Sequence, residues 1–86
     1  METFKGSFGE LQFYFKPKDE GETYLVEPYR QTRLKSFKLI KREKADINHE
    51  DKREWLIEIK DSIPVAIRDL ELNFSDFIQE SLATHA

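Results

Sequence analysis

Eighty-six residues, with 14 basic and 17 acidic side chains, give a chain of formal net charge −3. A chain of this length is one domain with a thin core, burying only about 60% of the surface its unfolded form exposes. It has no cysteine, which excludes a disulfide framework, Cys-based zinc sites and thiol nucleophiles.

The N-terminal residues, Met1-Glu2-Thr3-Phe4-Lys5-Gly6, show no basic segment followed by an apolar run, and no stretch nears the roughly 20 apolar residues that span a bilayer. The expectation is a soluble cytoplasmic chain with no membrane partner. Aromatic residues, from Phe4 to Phe77, occur along the whole length. Each buries on the order of 150–250 Å² when packed, so they supply core mass and argue against disorder.

Leu11, Phe13 and Phe15 alternate with Gln12, Tyr14 and Lys16, the period of a half-buried strand over about 10–16. Gly6 and Gly9 precede it and mark a bend or bulge that lets Phe4 and Phe8 join the same sheet. Pro17-Lys18-Asp19-Glu20-Gly21 reads as a turn, and a returning strand follows over about 22–27. Pro28 stops it. Leu34 to Arg42 fits neither period cleanly. A helix would align Leu34, Phe37 and Ile40 or Lys41, whereas a strand over about 36–42 agrees with the flanking pattern. Lys44 to Lys52 is polar and reads as a loop. Trp55, Ile57 and Ile59 then share one face of a strand over about 53–60.

Residues 63–72 support two readings. Ile63, Val65 and Ile67 alternate like a fifth strand. Ile67, Leu70, Phe74, Phe77, Ile78 and Leu82 form a helical stripe, with Pro64 suited to a first turn and Asp61 or Ser62 as its cap. Beyond Phe74 the helical reading stands alone. Ser75 is a candidate N-cap, and a helix is expected over about 75–83.

Few of the motifs suggest chemistry. His49 lies in an acidic loop and His85 in the tail, and neither has the buried, structured neighbourhood that a nucleophile–His–carboxylate arrangement needs. Asp46-Ile47-Asn48-His49-Glu50-Asp51 begins like a calcium loop, but the positions that require Gly and Glu hold Asp51 and Ile57. Gly6-Ser7-Phe8-Gly9 lacks the Lys-Ser/Thr and following helix of a phosphate cradle. The carboxylates Glu58, Asp69 and Glu71 read as solvated surface groups. No cofactor or metal is expected, and no enzymatic activity.

Charge is distributed unevenly. Arg30 to Lys44 holds seven basic residues and one acid, whereas Ala45 to the end holds ten acids and four bases. Arg30, Arg33, Lys35, Lys38, Lys41 and Arg42, interleaved with Tyr29, Phe37 and Leu39, are the candidate surface for a partner or nucleic acid. Cations neutralise phosphates and an exposed aromatic stacks on a base. A competing expectation is internal pairing, with Glu71, Asp76 and Glu80 lying over Lys35, Lys38 and Arg42. The stripe Phe74, Phe77, Ile78 and Leu82 serves as core, with any surplus as a partner or homodimer face.

The expected fold is α+β: a small antiparallel sheet or open barrel of four to five strands with a C-terminal helix packed on it, as a single domain over 1–86. The expected function is protein–protein contact by a small regulatory, inhibitory or adaptor protein. The alternative is a nucleic-acid-binding domain using residues 30–44, and a small enzyme comes third.

Overall fold

Alternation in the first half builds the sheet. The computed structural model describes residues 2–30, 34–41 and 54–84. Five strands, β1 (Phe4–Phe8), β2 (Leu11–Lys18), β3 (Thr23–Pro28), β4 (Phe37–Lys41) and β5 (Trp55–Ile57), form an antiparallel open sheet in the order β1-β2-β3-β4-β5. Two helices follow, α1 (Val65–Arg68) and α2 (Glu71–Thr84). The α+β class, the antiparallel sheet and the C-terminal helix packed on it all hold.

Each connection has a local cause. β1 and β2 close at Phe8↔Leu11 around Gly9-Glu10. Gly9 has φ +65, the positive φ that a two-residue hairpin turn demands at its first central position. The next turn is shorter than the sequence suggests, because Pro17 belongs to β2 and pairs with Tyr24. Its missing N–H is tolerated because the β1 pairing ends at Phe4↔Phe15. Asp19, Glu20 and Gly21 then reverse the chain, all with positive φ, and Thr23 Oγ1 donates to Asp19 Oδ2 at 3.1 Å.

One face of the sheet is the core. Phe4, Phe13, Phe15, Tyr24, Val26, Phe37, Leu39, Trp55 and Ile57 are buried there, with Phe74 and Ile78 of α2 packed over them. Phe74 is the hub, with ring centroids 5.0 Å from Phe8, 5.3 Å from Phe13, 5.7 Å from Phe15 and 5.8 Å from Phe37. Gly6 leaves room for Phe77, whose ring would stand 3.0 Å from a Cβ at that position. A fourteen-residue helix is marginal alone. Each buried side chain it contributes adds about 1.5–3 kcal/mol, so α2 is held by docking.

The structure overturns the strand reading of 63–72. A single 3-10 turn spans Lys60–Ser62, α1 begins directly after Pro64, and Glu71 already lies in α2. Ile63 and Ile67 are buried while Val65 and Leu72 are exposed, which is helical spacing and not alternation. Ser75 is not an N-cap either. It lies one turn inside α2, fully buried, where its Oγ accepts from Glu54 N at 2.8 Å and Trp55 N at 3.1 Å. One turn earlier Glu71 Oε2 accepts from Ile57 N at 2.8 Å, and its other oxygen accepts from Lys60 Nζ at 3.2 Å. Two residues of α2, four apart, therefore satisfy the outward N–H groups of edge strand β5. This closes an edge that would otherwise template further pairing. On the opposite edge, β1 carries Lys5, a charge that discourages such pairing.

Candidate functional site

Because side chains alternate along a strand, the residues between the core positions define the second face of the sheet. In register they form four rows: Ser7–Gln12, Lys5–Tyr14–Glu27, Lys16–Leu25–Lys38 and Lys18–Thr23–Ile40–Leu56. No helix covers them among the described residues. The strands thus give this face four lysines, Lys5, Lys16, Lys18 and Lys38, against Glu27, and Glu58, one residue past β5 and opposite Lys38, adds a second carboxylate. Lys16 Nζ lies 3.1 Å from Glu27 Oε2. On the other side of the molecule α2 carries Glu71, Asp76 and Glu80 and no basic residue. The charge imbalance along the chain thus becomes an imbalance across the fold.

An aromatic pair stands at one end of the uncovered face. Tyr14 and Tyr29 meet edge to face with centroids 5.5 Å apart. Lys5 Nζ lies 4.0 Å from the Tyr29 centroid and 5.8 Å from that of Tyr14, and the Arg30 guanidinium carbon lies 4.9 Å from the Tyr29 centroid. These cation–π contacts hold Lys5 and Arg30 beside the rings. Arg30 itself has φ 58, a left-handed backbone. Along the face, Leu25, Ile40 and Leu56 form an apolar strip, with Ile40 36% exposed.

The residues singled out from 30–44 do not gather on one surface. Lys38 lies on the uncovered face, and exposed Arg30 stands beside Tyr29. Lys41 pairs with Trp55 and so has the parity of the core face, as does exposed Lys35 just ahead of β4. Phe37 is buried against Phe13 and Phe74 and presents no ring for stacking. Arg33 and Arg42 lie outside the described residues, as do the 46–51 loop, His49 and His85. The expected meeting of Glu71, Asp76 and Glu80 with Lys35 and Lys38 does not occur, since Glu71 instead holds Lys60 and the Ile57 N–H. The sequence reading passed over Lys5, Tyr14, Lys16 and Lys18, although the alternation of Gln12, Tyr14 and Lys16 with Leu11, Phe13 and Phe15 already put Tyr14 and Lys16 together.

Beyond the N-terminal end of β4 lies a cavity of about 670 Å³. Its apolar walls include Phe13, Leu34, Phe37, Ile63 and Ile67, and Lys35, Lys38 and Glu58 also line it. Of the described titratable groups, Tyr24 has its hydroxyl pKa pushed above the ordinary value by burial. It belongs to the core, edge to face with Trp55 at 5.0 Å. No protein-family model, curated protein or solved structure matches the chain.

Proposed function

We propose that this chain is a small non-catalytic binding module that takes an acidic surface of another protein on the uncovered face of its sheet. The observation that carries this reading is the sharing of one face by four lysines and the strip Leu25, Ile40 and Leu56, opposite an acidic helix. Apolar contact excludes water at the centre of an interface, while complementary charge steers encounter and fixes register.

A second reading is single-stranded nucleic acid on the same face, favoured by Tyr14 and Tyr29 beside Lys5 and Arg30. Base stacking needs an open ring face. Here the two rings meet edge on, and Lys5 and Arg30 both approach the Tyr29 ring. That geometry favours the protein reading.

The two separate in one titration series. A labelled oligothymidylate and a labelled acidic polypeptide, poly-glutamate, are titrated against the chain and against the Lys5→Ala/Lys16→Ala/Lys38→Ala variant, at low and physiological salt. The proposal expects salt-sensitive binding of the polypeptide that the variant loses, with weaker binding of the oligonucleotide. Tighter oligonucleotide binding that also depends on Tyr14 exchanges the two readings. Absence of binding to either at low salt removes this face from consideration.

A further inference from the structure

The cavity beside β4 is continuous with the uncovered face, because Leu25 and Lys38 line both. Its origin is a mismatch in strand length. β5 ends at Ile57, pairing continues one residue further through Glu58 N to Lys38 O at 3.0 Å, and the chain then turns away at Lys60–Ser62. β4 thus loses its neighbour at its Phe37 end, and the gap is walled by Ile63 and Ile67.

Ile59 marks the gap. It has the parity of Trp55 and Ile57, both buried, yet it stands 63% exposed on the cavity wall. Nothing else in the fold among the described residues covers it. A large exposed isoleucine beside an apolar cavity is an incomplete hydrophobic contact, the kind a partner side chain completes. The charged wall groups are Lys35, Lys38 and Glu58. Neither lysine reaches a carboxylate in an ion pair among the described residues.

We infer that the cavity is an anchor pocket: a partner segment rich in Asp and Glu crosses the lysine-bearing face and inserts large aliphatic or aromatic side chains against Ile59, Ile63 and Phe37. This rests on the reading of the uncovered face as a protein-binding surface and adds the chemistry of the partner. The volume lies in the range of small-ligand pockets, about 300–1,000 Å³, and exceeds a single side chain, so a segment with more than one apolar anchor fits it. Charge selects the acidic segment, and the cavity selects its apolar residues.

The test is selection of a random-sequence displayed peptide library on the immobilised full chain. Enriched peptides are then titrated against isotope-labelled protein by NMR. Ile59→Asp places a carboxylate on the wall without touching the core, and Ile59→Val keeps the apolar contact. Thermal melts followed by circular dichroism check that both stay folded.

The inference expects enriched peptides that combine Asp or Glu with Leu, Ile, Phe or Trp. They should shift the Lys38, Ile59 and Ile63 amides, weaken by about tenfold or more with Ile59→Asp, and keep their affinity with Ile59→Val. Peptides that shift Tyr14, Lys16 and Leu25 but ignore Ile59→Asp overturn the anchor pocket and leave the sheet-face reading standing. Basic enriched peptides, or acidic ones lacking apolar residues, also overturn it. Enriched peptides that shift neither region, or no enrichment at all, overturn both. Oligothymidylate binding at Tyr14 and Lys5 without peptide enrichment replaces both with the nucleic-acid reading.

Discussion

The two faces of the sheet are built from the same five strands and differ residue by residue. The covered face is almost entirely aromatic and aliphatic, with ring against ring across β1, β2, β4 and α2. The uncovered face mixes lysines, two tyrosines and a short apolar strip. The difference teaches where the folding free energy of so small a domain resides. Almost all of it lies on one side of the sheet, which leaves the composition of the other side open to serve recognition.

Substitutions on the two faces test that division. Phe74→Ala removes the ring that touches Phe8, Phe13, Phe15 and Phe37. It should cost about 3–5 kcal/mol, the range for a buried Phe in a core that cannot collapse, measured by urea denaturation with circular dichroism. Ser75→Ala deprives the N–H groups of Trp55 in β5 and of Glu54 just before it of their acceptor. The expected loss is about 1–3 kcal/mol, with faster hydrogen exchange at the Trp55 amide, and an unchanged exchange rate there would refute the edge-closing role. Gly6→Ala pushes a methyl group to 3.0 Å from the Phe77 ring and should destabilise by about 1–3 kcal/mol. Ser7→Ala, on the other side of the same strand, serves as its control.

Two smaller effects sharpen the contrast. Burial raises the Tyr24 pKa above the ordinary 10.0, so above that pH the unfolded chain releases a proton that the folded chain still holds. Stability therefore falls as pH rises past about 10, at no more than about 1.4 kcal/mol per pH unit. In Tyr24→Phe this part of the alkaline slope should vanish, as thermal melts across that range would show. On the uncovered face, Lys18→Ala and Lys38→Ala should each leave stability within about 0.5 kcal/mol. A larger loss would mean that this face is structural after all.

Much of the fold is legible along the chain because β2, β3 and β5 follow period two, whereas Gly9, expected as a bend or bulge, is the hairpin turn that makes Phe4–Phe8 a strand of its own. The misreadings share a physical origin. Over 63–72 the apolar residues satisfy both periods, and only burial separates Ile63 and Ile67 from Val65 and Leu72. Ser75 looks like a cap because capping is the local role of serine, whereas its partners, Glu54 and Trp55, lie about twenty residues away in sequence. The candidate surface is less legible along the chain. Charge density points to 30–44, but the cations that share a face are drawn from β1, β2 and β4, and pairing register brings them together. The cavity has no local signature, since it arises where β5 stops short of its neighbour.

The joining of α2 to the edge strand has an optical consequence. Trp55 is the chain's single tryptophan, and its own backbone N–H is held by Ser75 while its indole packs against Tyr24. When α2 lifts from β5, water reaches the indole and its emission shifts to the red. With the Tyr24 and Trp55 rings 5.0 Å apart, tyrosine excitation passes efficiently to tryptophan while β3 and β5 remain in one sheet and less so once they separate. Intrinsic fluorescence therefore reads helix departure and sheet dissolution as two separate signals, from residues the chain already carries.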